Sequence, residues 1–470
     1  MFRGRVRQIH FIGVAGIGMS GLAEILHRLE FAVSGSDVKE NEATKHLETL
    51  GVKVYKGHHA DHIVGADVVV YSSAIAPNNP EMIHARLLHV PVISRGEMLA
   101  ELMRFKYTVV IAGSHGKTTT TSLAAMVLHH AGFDPTVAVG GRINPIGSNA
   151  WVGEGDLFVA EADESDGSFL KLTPTIAVVT NIDPEHLDYY KSHVHIKQAF
   201  IDYVNKVPFY GLGVLCWEHP HVREILPSIT QRHVTYGLSG EADYWAKHLV
   251  FDGVMSSFDA YCRHKWLGRF QVHMPGTHNV LNALGVIAVA DELAIPLNVM
   301  QAAIASFHGV QRRFTIVGER TVKEREGKVG DVLIVDDYGH HPAEIEATIK
   351  AARSAFKRRV VVAFQPHRYT RLASLFFEFV EALAGADVLF ITEVYPAGEA
   401  PIPGVTGESL AHALCERCSP QLVHYVRDKK QIPHRLMEQI TSGDLVIALG
   451  AGDINMAVYE LDRLLGEQTL

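Results

Sequence analysis

Gly113-Ser114-His115-Gly116-Lys117-Thr118-Thr119 follows an apolar run, Tyr107 to Ala112, and leads into a helix-compatible segment, Ser122 to Ala131. Glycines let backbone N–H groups approach phosphate oxygens, lysine meets the β- and γ-phosphates, and the threonine hydroxyl reaches Mg²⁺. A following helix N-terminus adds positive partial charge. The spacing departs from the common phosphate loop, which has four residues between its first glycine and Gly-Lys. Here only Ser114 and His115 separate Gly113 from Gly116, and Ile111 stands where the pattern's first glycine would be. The chain either binds a nucleoside triphosphate through a variant loop or matches by accident, and the flanking strand and helix patterns favour the loop.

Glu161-Ala162-Asp163-Glu164-Ser165-Asp166 closes an apolar strand, Leu157 to Glu161. Carboxylates this dense repel one another unless a cation intervenes. Mg²⁺ takes one or two carboxylates plus phosphate oxygens, and Glu161, nearest the strand end, is the first candidate. His186 follows a second apolar strand, Ile176 to Thr180, within Asn181-Ile182-Asp183-Pro184-Glu185-His186-Leu187-Asp188. Near the N-terminus, Gly16-Ile17-Gly18-x-x-Gly21 separates a strand from a helix, and Asp37 ends the next strand. That is the dinucleotide fingerprint, but it demands only a pyrophosphate on a helix N-terminus beside a ribose. A UDP-sugar supplies both, so the motif speaks for diphosphate more than for nicotinamide. Asn279 precedes or opens a helix, where it either caps the helix or reads an adenine edge. Asp336-Asp337-Tyr338-Gly339-His340-His341-Pro342 and Gln365-Pro366-His367-Arg368-Tyr369-Thr370-Arg371 end two further strands. Arg368 and Arg371 are suited to clamp a carboxylate or a phosphate.

The elements that must hold these groups form three modules of alternating β/α pattern. The first, 1–106, is Rossmann-like, with strands at Gln8–Val14, Phe31–Ser34, Val52–Tyr55, Ala66–Tyr71 and Pro91–Ile93 and helices at Ser20–Leu29 and Gly96–Phe105. The second, 107–314, holds the phosphate loop on a mixed sheet, with a β-rich stretch from Gly211 to Val272 and a helix from Asn279 to Leu293. The third, 315–470, is another Rossmann-like sheet, with strands at Val332–Asp336, Val360–Phe364, Val388–Ile391 and Leu445–Leu449. The stretch 319–330 reads as a surface hairpin turn. The expected class is thus α/β in three domains, with ligands at the carboxyl ends of parallel strands.

Composition agrees with an enzyme. The chain has 470 residues, 20% of them charged and 47% hydrophobic. A net charge of −9 argues against wholesale nucleic-acid binding. Four cysteines are too few for a disulfide framework and suggest a reducing compartment. Cys415-x-x-Cys418 has no second pair at metal spacing and reads as helix. Arg3, Arg5 and Arg7 before the apolar stretch Ile9 to Ala23 resemble a signal peptide, but the glycine spacing favours strand–turn–helix, hence a cytoplasmic protein. No uncharged apolar run reaches membrane-spanning length.

The blocks, taken in order, resemble the Mur ligase family. They are His10 to Ser20, Gly113 to Thr121, Glu161 to Asp166, Asn181 to Leu187-Asp188, His278-Asn279, Arg312-Arg313-Phe314, Asp336 to Pro342 and Phe364 to Tyr369. The acidic block is similar to the alanine-adding branch. Ser114 stands where the family usually has threonine, a conservative departure. The resemblance implies an ATP-dependent ligase of peptidoglycan precursor synthesis that joins L-alanine to the carboxylate of UDP-N-acetylmuramate through an acyl phosphate. Gly113 to Thr119, Asn279 and Asp336 or Asp337 would bind ATP. Lys117 would meet the γ-phosphate, and Arg313 would contact phosphate. Of two Mg²⁺ ions, Thr118 and Glu161 would hold one, and Glu161 and His186 the other. Gly16, Ile17, Gly18, Asp37, Ser72, Ser73 and Arg95 would bind the UDP-sugar. Tyr338, His340, His367, Arg368 and Arg371 would line the acceptor side. A carbamylated lysine, found in some relatives, is not expected. The resemblance is compatible with a monomer or weak homodimer. The alternatives are a muropeptide-recycling ligase that adds a tripeptide to the same sugar nucleotide, an NAD-dependent oxidoreductase and a non-catalytic nucleotide-binding regulator.

Overall fold

The computed structural model describes residues 6–104, 106–139, 150–323 and 329–468. The chain forms two compact units. One comprises Met1–His248, Phe258–Phe270 and Leu281–Phe307, and the other Leu249–Ser257, Gln271–Val280 and His308–Leu470.

In the first unit, five parallel strands form the N-terminal sheet: β1 (Gln8–Ile12), β2 (Ala32–Asp37), β3 (Lys53–Lys56), β4 (Val68–Tyr71) and β5 (Val92–Ser94), in the order β3-β2-β1-β4-β5. Ile9, Phe11 and Ile12 of the central strand are fully buried, as a strand covered on both faces requires. The helix Ile17–Arg28 springs straight from the glycine turn. Its N-cap is Gly16, and no side chain caps it. The turn thus presents a helix N-terminus, with its positive partial charge, that no side chain covers as a cap.

The second sheet has the order β15-β14-β13-β12-β11-β10-β6-β9-β7-β8. Its strands are β6 (Tyr107–Ala112), β7 (Thr136–Ala138), β8 (Ala150–Trp151), β9 (Leu157–Glu161), β10 (Ile176–Val179), β11 (Leu212–Cys216), β12 (His233–Gly237), β13 (Tyr244–Asp252), β14 (Met255–Cys262) and β15 (Lys265–Val272). The strands around β6 are parallel, whereas β7 and β8 are antiparallel, so the sheet is mixed. Strand β6 lies between β10 and β9. That places the phosphate loop between the two strand ends that carry the acids and His186.

In the second unit, β16 (Thr315–Lys323), β17 (Val329–Asp337), β18 (Val360–Phe364), β19 (Val388–Ile391), β20 (Val423–Tyr425) and β21 (Leu445–Leu449) run in the order β16-β17-β21-β18-β19-β20. All pairs are parallel except β16 with β17. Hydrophobic clusters cover both faces: Val335, Val362 and Ile447 on one, and Ile334, Val361 and Val446 on the other.

Three expectations need correcting. The loop helix runs Lys117–His130, beginning five residues before Ser122. Threonines are weak helix formers, because β-branched residues lose side-chain freedom there. Burial overrides that preference, since Thr119, Thr120 and Thr121 are all inside. Next, strand β16 was not foreseen. The stretch 319–330 contains the end of β16 and the start of β17, and its centre, 324–328, lies outside the described residues. Last, Asn279 is not a cap. Its helix starts at Thr277, and its Nδ2 turns back to donate to the Pro275 carbonyl at 2.8 Å. The cysteine pair is as expected, with Cys415 in the helix Gly407–Arg417, Cys418 at its C-cap and both thiols free.

Candidate active site

Two glycines make the phosphate loop possible. Gly113 has φ +137°, and a Cβ there would lie 2.0 Å from Thr180 Oγ1. Gly116, the N-cap of the loop helix, is left-handed at φ +81°, and a Cβ would lie 2.9 Å from Asn282 Oδ1. Both positions exclude side chains, by backbone conformation and by space. Like the first glycine-turn helix, this one has no side-chain cap.

The segment leaving β10 fixes the loop. Asn181 Oδ1 accepts from His115 N–H at 2.7 Å, and the Asn181 carbonyl accepts from Ser114 N–H at 3.2 Å. Thr180 Oγ1 and Asn181 Nδ2 both donate to the His115 carbonyl, at 2.6 and 3.0 Å. Asp183 N–H donates to Ser114 Oγ at 2.8 Å. The Asp183 carboxylate lies 3.0 Å from His115 Nε2. Burial opposes ionisation of Asp183, but the His115 and His219 contacts outweigh it and hold the group far below the usual carboxylate range.

Lys117 lies along the loop. Its Nζ donates to the carbonyls of Gly113 and Ser114, at 2.5 and 3.0 Å, and to Glu164 Oε1 at 2.9 Å. Burial pulls its pKa down, and Glu164 and Glu161 more than offset this, so the ammonium is held above its usual value. Thr118 Oγ1 donates to Glu161 Oε2 at 2.9 Å. These first two helical residues thus engage two different acids of the strand end.

Glu164, unremarked in the sequence beyond its membership of the acidic block, is the most perturbed of them. It is 1% exposed. Burial and nearby Asp163 push its carboxyl up to about 7 against the pull of Lys117. Its Oε2 is buried with no hydrogen-bond partner. Ligand atoms of Glu164, Glu185 and His186 lie within 4.8 Å of one another. His186 has φ +54°, a costly conformation for a non-glycine residue that aims its ring, with Nε2 3.5 Å from Glu185 and 3.7 Å from Glu164. The site therefore holds an excess of carboxylates over one lysine, a bare buried oxygen and a histidine, and these residues fit a divalent cation. Sequence reasoning found Glu161 and His186 but missed Glu185 and Asn282. Glu185 precedes His186 directly, and that adjacency was the available signal.

At the glycine turn, Asp37 accepts from Ala15 N–H and Lys39 N–H, each at 2.9 Å, and thereby closes the turn. Ser72 and Ser73 follow β4, and the Ser72 N–H donates to the Ile12 carbonyl at 3.2 Å. Arg95 starts the helix Arg95–Met103, and its Nη1 lies 3.2 Å from where a Cβ on Gly18 would sit. Its Nη2 donates to Asp163 Oδ2 at 2.9 Å. Asp163 is drawn below its usual value by Arg95, against its burial.

Within the second unit, Asp336 and Asp337 part company. Asp337 accepts from Phe314 N–H and Gly339 N–H, both at 2.8 Å, so it is committed to holding the chain and is a poor choice for a ribose ligand. Asp336 is fully buried beside Arg312, and burial pushes it up to about 6. Arg313 lies 3.4 Å from Glu344 and over the Tyr338 ring at 5.2 Å. The two predicted acceptor loops do meet. The His340 and His367 rings are 5.8 Å apart, and Tyr338 flanks one while Tyr395 stacks on the other. Burial pushes both histidines down to about 4, which makes them neutral donors and acceptors at neutral pH. Arg371 Nη1 lies 3.4 Å from His367, and Arg368 is exposed. Tyr395 was not foreseen, because no motif marks it.

The glycine turn at Gly16, the glycine loop beside a cluster of carboxylates and the histidine–tyrosine–arginine cluster of the third sheet are each of a kind that binds ligands at strand ends. The chain belongs to the Mur ligase family. Residues 8–107 match the family's "Mur ligase family, catalytic domain", 111–290 its "Mur ligase middle domain" and 312–452 its "Mur ligase, glutamate ligase domain". The fold is the three-domain α/β fold of that family. Over 464 residues the chain is 60% identical to the UDP-N-acetylmuramate–L-alanine ligase of Sorangium cellulosum, covering 98% of this chain and 97% of the relative. It superposes on the crystal structure of UDP-N-acetylmuramate-alanine ligase MurC from Thermotoga maritima with TM-score 0.81 at 28% identity, covering 98% and 99% of the two chains. UDP-N-acetylmuramate:L-alanyl-gamma-D-glutamyl-meso-diaminopimelate ligase from Neisseria meningitides gives TM-score 0.61 at 30% identity, covering 66% of this chain and all of that one.

Proposed function

We infer that this chain is an ATP-dependent ligase that joins L-alanine to the carboxylate of UDP-N-acetylmuramate, releasing ADP and phosphate, in peptidoglycan precursor synthesis. The observation that carries the reading is full-length 60% identity to a relative of that name, with the phosphate loop and its acid partners intact. Domains at 1–106, 107–314 and 315–470 divide the work. The uncapped helix at Gly16 takes the diphosphate of the sugar nucleotide, with Arg95 alongside. The loop Gly113–Thr119 takes the triphosphate of ATP. Asn279 and Asp336 serve the nucleoside, and Arg313 serves phosphate.

A carboxylate is a poor electrophile, so the muramyl carboxylate oxygen first attacks the γ-phosphorus and ADP leaves. The amine of L-alanine then attacks the acyl carbon, and phosphate leaves with the oxygen that formed the bridge. The protein's part is to position and to neutralise charge. Lys117 trades its loop carbonyl partners for the γ-phosphate and stays beside Glu164. Tyr338, His340, His367, Arg368 and Arg371 receive the amino acid, with the arginines facing its carboxylate. Thr118 and Glu161 would hold one Mg²⁺, and Glu161, Glu164, Glu185 and His186 a second. When bound, that cation offsets the negative charge of the phosphates and the carboxylate cluster.

Among the described residues no helix is long and apolar enough to cross a membrane, and the reaction is placed in the cytoplasm, where ATP is available. The working form is a monomer or weak homodimer. The test is phosphate release from ATP with UDP-N-acetylmuramate, comparing L-alanine with the L-Ala-γ-D-Glu-meso-diaminopimelate tripeptide and following NADH absorbance in parallel. Release with L-alanine alone is expected. Release only with the tripeptide would make the chain a recycling ligase, and no release with either would refute the ligase reading.

A further inference from the structure

His219 lies outside every motif, just beyond β11, at the N-cap of the short helix Pro220–Ile225. It does not cap that helix with its side chain. Its Nδ1 accepts from the Ile182 N–H at 3.4 Å. That bond fixes the tautomer, leaving the proton on Nε2, which donates to Asp183 Oδ1 at 3.2 Å. The other oxygen of Asp183, Oδ2, faces His115 Nε2 at 3.0 Å. His115 belongs to the phosphate loop, and its own backbone is gripped by Thr180 and Asn181. The three side chains thus form one line from the end of β11, through the end of β10, to the loop after β6.

We propose that His219 is a positioning residue for nucleotide binding: by holding one oxygen of Asp183 it turns the other onto His115 and so fixes the ring and backbone of the phosphate loop before ATP arrives. The physical reason is geometric. A carboxylate held at one oxygen rotates about its Cβ–Cγ bond, whereas one held at both has a set plane. The bond from His219 is charge-assisted and directional, whereas His115 Nε2 faces Asp183 Oδ2 and, at 3.5 Å, Glu185 through charge at ion-pair distance, so its place depends on where the Asp183 carboxylate is turned. The effect reaches the ligand only through the loop, so it is felt by ATP and not by the sugar nucleotide on the Gly16 turn. The reason for a histidine is its reach. One ring takes a backbone N–H on one edge and gives a proton on the other, spanning Ile182 and Asp183, which serine or alanine cannot do.

The proposal rests on the reading that ATP binds the loop, so the test reads binding directly and apart from catalysis. Calorimetric titration of the full chain with a non-hydrolysable ATP analogue is run on His219→Ala, His219→Gln, His115→Ala and the double variant His219→Ala/His115→Ala. His219→Ala weakens analogue binding about tenfold and leaves UDP-N-acetylmuramate binding within about twofold. His219→Gln, which keeps a donor at similar reach, recovers most of the loss. In the His115→Ala background, removing His219 costs less than about twofold, because the two act in series. Analogue binding unchanged in His219→Ala, equal losses for both ligands, no recovery by Gln, or full additivity with His115→Ala would each overturn it. If the wild-type chain binds the analogue but releases no phosphate, the ligase reading falls while this one is still judged by the variants. If it binds no analogue, both fall.

Discussion

Replacing Glu164 by glutamine isolates the most strained charge in the site. In the folded chain this carboxyl, 1% exposed, keeps its proton to about pH 7, against an ordinary value of 4.5. Between those two values the folded state binds more protons than the unfolded state. Stability contributed by this group therefore falls as pH rises from 4.5 toward 7 and stays low above it. The gap between the two values is worth about 3 kcal/mol in all, most of which is lost between pH 5 and pH 8. Glutamine keeps the shape without the charge, so the stability of Glu164→Gln relative to wild type should rise by about 2–3 kcal/mol across that interval, several degrees in melting temperature for a unit of this size. The assay is thermal unfolding of nucleotide-free protein in EDTA at pH 5 and pH 8. Repeating it at pH 8 with millimolar Mg²⁺ should raise wild type and leave the variant nearly unmoved, because the cation relieves a charge the variant lacks. A stability gap that stays flat, or narrows, from pH 5 to pH 8 would refute the assignment of Glu164 as a buried, under-compensated carboxylate.

Other perturbations separate binding from folding. Lys117→Ala should lower kcat/KM for ATP by about a thousandfold or more in the phosphate-release assay, as expected for losing a charge on the transferred group; retention within tenfold would remove Lys117 from that role. In Gly113→Ala the new methyl meets Thr180 Oγ1 at 2.0 Å in a left-handed backbone, so a loss of about 2–3 kcal/mol in thermal unfolding should accompany lost ATP-analogue binding. Arg359→Met leaves Asp444, which is 1% exposed and accepts from Arg359 Nε and Nη2 at 3.0 and 2.9 Å, with only its Thr441 N–H and hydroxyl donors. It should cost about 1–2 kcal/mol in the unit built on β16–β21 and leave KM for ATP unchanged.

Strands such as β6, β9, β18, β19 and β21 were legible to the residue because each is a continuous apolar run buried on both faces, ended by a polar or glycine residue. The loop helix was misplaced because its first turn is made of threonines, whose local preference was outweighed by burial. Strand β16 was invisible for a related reason. Thr315–Lys323 mixes threonine, glycine and charged residues with a few apolar ones and has no clean period of two, and its antiparallel pairing with β17 at the sheet edge is a tertiary fact. In the site, Lys117, Thr118, Glu161 and His186 announced themselves by type and position after apolar strands. Glu185, Asn282, His219 and Tyr395 did not, because each acquires meaning only from what the fold puts beside it. Asp337 shows the converse: its motif was conspicuous, and its oxygens turn out to be spent on Phe314 and Gly339.

The contact of Arg95 with both the glycine turn and the acidic strand end joins positions 18, 95 and 163, which are far apart in the chain. Any side chain at 18 would displace the guanidinium, and any loss at 95 would release Asp163 into a crowd of like charges. Mutational drift at these positions is therefore not free. Relatives should keep the glycine, arginine and aspartate as a set or exchange all three, and single changes should surface only with a compensating partner.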